Sequence, residues 1–130
     1  MSAHGQVAVV RRITSDSDAP RIARAAAADV LRQLRCGQER ADDLALVVSE
    51  LVANAVVHGP DADLHLALTG SPAMVRVEVR DAGTTTFAWP ELPGNGHWGL
   101  GLVEIFSDRS GVTRQPSTVV WCELDLAETA

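Results

Sequence analysis

Three stretches of this 130-residue chain carry side chains whose types and spacing suit chemistry better than packing. The first holds Glu50, Asn54 and His58, spaced i, i+4, i+8, which places them in one row along a helix. Their neighbours are apolar nearly all round. Leu44, Val48, Leu51 and Ala55 define a core stripe, and Leu46, Val47, Val52, Val56 and Val57 widen it. A carboxylate and an amide at the edge of such a stripe need partners or a purpose, because burying them unpaired is costly. A polar row of this kind also suits a solvent-facing helix edge; the apolar surroundings favour a cleft.

The second stretch is Asp81-Ala82-Gly83, directly after an alternating run. An Asp before a glycine is ordinary turn chemistry. It also presents a carboxylate to an exocyclic amine, with Gly83 letting the backbone approach a planar base. The third is Gly96-His97-Trp98-Gly99-Leu100-Gly101-Leu102, just before a short helical pattern. Glycines there permit a tight approach to a ligand, and helix starts offer free N–H groups to anions. The plainer reading is a flexible loop leading into a helix.

The elements that must position these stretches follow from periodicity. Val7 to Ile13 reads as a strand. Ser17 and Asp18 are set to cap a helix from Arg21 to Arg35, with Pro20 in its first turn, an inward face of Ile22, Ala26, Val30 and Leu34, and Gly37 as its stop. A second helix is expected from Glu39 to Val57, ended by Gly59-Pro60. Strands at 63–68 and 74–80 flank the turn residues Gly70-Ser71-Pro72, and Val75, Val77 and Val79 alternate with Arg76, Glu78 and Arg80. A long irregular stretch, 82–98, has the length of a functional lid. A helix at 100–107 and a hairpin of 111–114 with 118–126 complete the chain. The expected fold is α+β: a mostly antiparallel sheet covered by helices on one face, a two-layer sandwich formed by a single domain spanning 1–130.

Composition removes several function classes. Net charge is −6, with acids and bases mixed along the chain, which argues against direct nucleic-acid binding. All 11 basic residues are arginine. Without lysine, Schiff-base chemistry and the lysine-dependent phosphate loop are excluded. Cys36 and Cys122 are far apart, and His4, His58, His65 and His97 are scattered, so neither a disulfide nor a zinc site is expected. No apolar run is long enough to span a bilayer, and Met1 to Gly5 carry no signal pattern; the expected compartment is the cytoplasm.

In this order the stretches are far more specific than any one alone. "ELVANAVVHG" (Glu50 to Gly59), "DAG" (Asp81 to Gly83) and "GLGL" (Gly99 to Leu102) resemble the N, G1 and G2 boxes of the GHKL, or Bergerat-fold, ATPase superfamily. Within it, "VVSELVANAVVHG" and the ending "VVWCELDL" look most like the anti-sigma-factor serine kinases and their actinobacterial relatives. The resemblance runs from about Arg21 to Leu126 and implies a cofactor, ATP with Mg²⁺. Asn54 would bind the metal, and Glu50, the catalytic residue, would act as the general base or orient the attacking hydroxyl. Asp81 would accept a hydrogen bond from the adenine amine beside Gly83. Gly99, Leu100, Gly101 and Leu102 would close on the phosphates, while His58 and Gly59 shape the helix end and the pocket wall.

The pattern departs from the family at Thr85 and His97, where glycines are usual, and the lid from Thr84 to Trp98 has no arginine. Trp89 and Trp98 sit in that lid as candidate reporters of its closure. The resemblance implies an ATP-dependent serine/threonine kinase that sequesters a sigma factor and phosphorylates a small anti-anti-sigma (STAS-type) protein. The altered glycines favour an alternative, a non-catalytic ATP-binding partner switch. A detached histidine-kinase catalytic domain is weaker, with no phosphoacceptor helix pair ahead of it, and a partner-binding domain that has lost nucleotide is weaker still. The sequence does not fix the oligomeric state; relatives are often dimers, and the apolar strand Val7–Val10 is the candidate interface for a homodimer.

Overall fold

A computed structural model of the chain describes residues 6–58, 63–81, 100–113 and 119–126. Strand β1 (Val7–Ile13) leads into helices α1 (Ala19–Leu34) and α2 (Gln38–His58). Strands β2 (Leu64–Gly70) and β3 (Met74–Asp81), helix α3 (Leu100–Phe106), and strands β4 (Arg109–Thr113) and β5 (Val119–Asp125) follow. The strands form one antiparallel sheet in the order β1-β2-β3-β5-β4. The helices pack on one of its faces, which is the expected α+β two-layer arrangement.

Alternation fixes the sheet's inner face. Leu64, Leu66 and Leu68 of β2, Val75, Val77 and Val79 of β3, and Val120, Cys122 and Leu124 of β5 are all buried. The register sets Leu66 opposite Val79, Leu68 opposite Val77, and Val77 opposite Cys122, so the inward sets meet as one surface. A slip of one residue would turn every one of them to solvent. Above this surface α2 contributes Leu44, Val47, Val48, Leu51, Val52 and Ala55, all fully buried. Each of the leucines and valines contributes about 1.5–3 kcal/mol by leaving water.

Several local expectations are corrected. Helix α1 starts at Ala19, and its N-cap Asp18 makes no side-chain cap hydrogen bond. Asp16 serves instead: its Oδ1 accepts from Asp18 N–H at 2.9 Å and its carbonyl from Ala19 N–H at 3.1 Å. The helix ends on Arg35, which takes the left-handed conformation at φ 56. Gly37 stands just before the next helix, where its carbonyl accepts the Ala41 N–H at 3.0 Å. The buried face of α1 is built from Ala19, Ala23, Ala26, Ala27, Val30 and Leu34, while Ile22 is exposed. Small side chains let α1 lie close to α2 and the sheet, so packing distance overrides the phase suggested by bulk. Val57 also faces solvent.

Gly70 stands inside β2, and the reversal to β3 is closed by paired Ser71 and Met74 around Pro72-Ala73. A Cβ at Gly70 would meet Leu34 Cδ1 at 2.7 Å, so a larger residue there requires the end of the Leu34 side chain to shift. No helix is long and apolar enough to cross a membrane among the described residues. The expected helix stop at Gly59-Pro60, the lid with Trp89 and Trp98, and the substituted positions Thr85 and His97 lie outside those residues.

Candidate functional site

The centre of the site is the polar row on α2. Asn54 is 6% exposed and is the polar residue buried within the core among the described residues. Its Nδ2 donates to the Glu50 carbonyl at 2.7 Å, one helical turn back. That bond occupies the donor end of the amide and leaves Oδ1 as an acceptor that no donor reaches among the described residues. An unpaired polar atom in such surroundings costs about 1–3 kcal/mol, so a ligand that pairs with Oδ1 recovers a real penalty. Glu50 is half-buried in the same row, one turn before Asn54. Beside it, Ser49 Oγ donates to the Ala45 carbonyl at 2.9 Å and accepts from Arg24 Nη1 at 3.1 Å, tying α1 to α2.

The other two stretches arrive on neighbours of α2. Asp81 is the last residue of β3, paired with Leu64 of β2, and β3 packs under α2. Leu100 opens α3, which also packs against α2 and is seated by Val103 at 2% exposure. Gly101 is half-buried and Leu102 is exposed. His58 closes α2. Glu50 and Asn54 are therefore placed by their side chains, whereas Asp81, His58 and Leu100 are placed by their backbones alone. Gly59, Gly83 and Gly99 lie outside the described residues.

Sequence reasoning missed an ion-pair web that runs from the start of α2 to the outer face of the sheet. Arg40 reaches Asp43 (2.8 Å) and Asp108 (2.6 Å), Arg76 reaches Glu78 and Glu123 (both 2.7 Å), and Arg109 reaches Glu123 (2.7 Å) and Asp125. Arg76 also lies over the Trp121 ring, 4.4 Å from its centroid. Hydrogen bonds from Arg109 and then Arg76 hold the Glu123 carboxyl below its ordinary range, and a hydrogen bond from Arg109 does the same for Asp125. One signal was available: an arginine in the first turn of a helix opposes the dipole, so Arg40 had to be held by something else.

Both cysteines are free, and burial pushes the Cys122 thiol up to about 12. Among the described residues no group of His, Cys, Asp and Glu is arranged to hold a metal by itself. An open groove of about 570 Å³ runs between the start of β1 and the β2–β3 turn, lined by Val7, Thr69, Ser71 and Met74 among others. Among the described residues none that lines it is ionisable, and the polar row of α2 is absent from its walls.

Comparison with known proteins bears on the family and the fold. Residues 13–123 match the family described as "Histidine kinase-like ATPase domain". The chain is 31% identical over 101 residues to the Anti-sigma F factor of Bacillus cytotoxicus, an alignment covering 66% of this chain and 68% of that one. It is similar in structure to the RsbU and RsbW domains of Rv1364c from Mycobacterium tuberculosis, with a TM-score of 0.73 and 22% identity over 95% of this chain. The match spans 33% of that longer protein, and at this identity it speaks for the fold.

Proposed function

The chain belongs to the histidine kinase-like ATPase domain family, and from that premise we propose that it is an ATP-binding regulatory protein that controls a sigma factor or that factor's antagonist. The observation that carries the reading is Asn54, a buried amide whose donor end is tied back to the helix and whose oxygen is left to accept. A carbonyl oxygen in a dry wall is a hard ligand suited to Mg²⁺. The metal, when bound, neutralises the phosphates, a need that is acute in a chain without lysine.

Each residue then has a role in the proposal. Asn54 Oδ1 ligates the cation, and Asp81 accepts from the adenine amine beside Gly83. The N–H groups of Gly99, Leu100, Gly101 and Leu102 would meet the phosphates, and His58 and Gly59 are assigned to the pocket wall. Glu50 is half-buried, so its carboxylate remains accessible to a partner hydroxyl. If the terminal phosphoryl moves, its bond to the bridging oxygen breaks and one to a serine oxygen forms. ADP leaves, and the serine proton passes to Glu50.

The similarity to a protein named Anti-sigma F factor supports the choice of partner: a sigma factor or a small anti-anti-sigma protein of STAS type. Exposed Val10 on the edge strand β1 supports pairing of two copies, which sedimentation would register as twice the 13.8 kDa chain mass.

Mg-ATP titration tests the reading. Ligand at about a hundred times its dissociation constant stabilises the native state by ~2.7 kcal/mol, raising the melting temperature. Asn54→Ala is expected to lose the magnesium-dependent part of binding. Glu50→Ala is expected to keep binding and to lose any labelling of a partner serine. A folded wild type with no shift at millimolar Mg-ATP sinks the proposal. Binding without labelling favours the non-catalytic switch.

A further inference from the structure

The ion-pair web touches the nucleotide reading at one residue. Arg40 lies in the first turn of α2, the helix that carries Glu50 and Asn54. Its Nε donates to the Asp125 carbonyl at 2.9 Å, its Nη1 to Asp43 Oδ2 at 2.8 Å and the Phe106 carbonyl at 3.3 Å, and its Nη2 to Asp108 Oδ2 at 2.6 Å. Phe106 is the last residue of α3. Asp108 is itself pinned, since its Oδ2 accepts the Asp125 N–H at 2.7 Å and its own N–H donates to the Glu123 carbonyl at 2.8 Å. One guanidinium therefore joins the start of α2, the end of α3 and the end of β5.

A helix of seven residues has no stability of its own, so its direction comes from tertiary contacts. Two contacts define that direction here. Val103, buried at 2%, seats the middle of α3 on the core, and Arg40 fixes the Phe106 end. A rod held at its centre and one end has its other end fixed, and Leu100 lies about 9 Å from Phe106 at 1.5 Å per residue.

We propose that Arg40 is a positioning residue for the phosphate half of the nucleotide site. By tying the end of α3 to the start of α2, it sets where Leu100, Gly101 and Leu102 stand relative to Asn54 and Glu50. The inference rests on the nucleotide reading above. Lysine cannot replace the fork, because an ammonium is a single point charge and the four acceptors here lie around a planar group.

The test compares dissociation constants for Mg-ATP and for adenosine, measured by calorimetry on the wild type, Arg40→Ala and Arg40→Lys. Adenosine reports the β3 side alone, while Mg-ATP reports both sides. Arg40→Ala is expected to weaken Mg-ATP by about tenfold or more, equivalent to roughly 1.4 kcal/mol, with adenosine unchanged within twofold and Arg40→Lys between. If both ligands weaken by the same factor, or neither changes, Arg40 is a general brace and the inference is overturned. If Arg40→Ala does not fold, Arg40→Lys and Asp108→Asn carry the same comparison under the same criterion. A wild type that binds neither ligand overturns the nucleotide reading and this inference with it. A wild type that binds both, with a constant ratio across the variants, overturns the inference alone.

Discussion

At the scale of single residues, the structure separates polar groups placed for the fold from one placed against it. Asn54 gives the sharper contrast. Its truncation removes one i to i−4 side-chain bond, a loss of about 1 kcal/mol, and also removes an acceptor that burial penalises by a similar amount. Asn54→Ala should therefore change apo stability by no more than about 1 kcal/mol, against the 2–5 kcal/mol expected for Leu51→Ala one turn away in the same core. Urea unfolding of the two variants checks this. A loss at Asn54 as large as that at Leu51 would mark the amide as a structural group. The thiols give a second contrast. Cys122 is buried and its thiol is pushed up to about 12, whereas Cys36 is half-exposed between α1 and α2. A colorimetric disulfide reagent at pH 8 should titrate one thiol in the native protein, and the second only after unfolding.

Elements show what periodicity can and cannot reveal. β1 was legible to the residue because Val7, Val9 and Ile13 share one face and the run ends at the polar Thr14-Ser15. The row of Glu50 and Asn54 was legible because the apolar residues around it, Leu44, Val48, Leu51 and Ala55, recur at helical spacing, and a helix sets positions four apart on one side. The caps were not, because several residues near a helix end have suitable side chains and only backbone geometry selects one. Asp16, not Asp18, holds the start of α1, and Arg35 takes the conformation that Gly37 was expected to take. Arginine in the left-handed region is strained by roughly 1–2 kcal/mol, while glycine there loses about 0.5–1 kcal/mol more chain entropy on folding. Arg35→Gly should thus stabilise the protein by about 0.5–1 kcal/mol, read as a rise in the thermal midpoint. A fall would mean that the Arg35 side chain holds contacts outweighing its backbone strain. The Arg40 link was illegible for a different reason: three of its four partners lie 66 to 85 residues away, and only the tertiary fold brings them together.

For the whole molecule, the two layers are joined by apolar burial at the middle of the sheet and by charge at one end. The core does not titrate near neutrality, so acid acts on the end where Arg40, Arg76 and Arg109 meet Asp108, Glu123 and Asp125. Glu123 and Asp125 are held below their ordinary carboxyl ranges, chiefly by hydrogen bonds from Arg109, with Arg76 second at Glu123. For a carboxyl whose folded value is depressed, the unfolded chain binds more protons in the window between the two values. Stability then rises with pH across that window and is lost as pH falls through it. The contribution is in full above the unfolded values, about 4, and disappears below the depressed folded ones. Urea midpoints measured from pH 7 downwards should stay level to about pH 5 and fall below about pH 4. Glu123→Gln should start lower at pH 7, because it takes the charge from two arginines, and should descend less steeply. The curves should converge at the acid end, where the wild-type carboxyl is protonated and resembles the amide. Parallel curves would place the acid sensitivity elsewhere in the molecule. Since Arg109 and Asp125 are exposed, 1 M salt should also narrow the gap between the variants at pH 7, as screening weakens the charges that Glu123 answers.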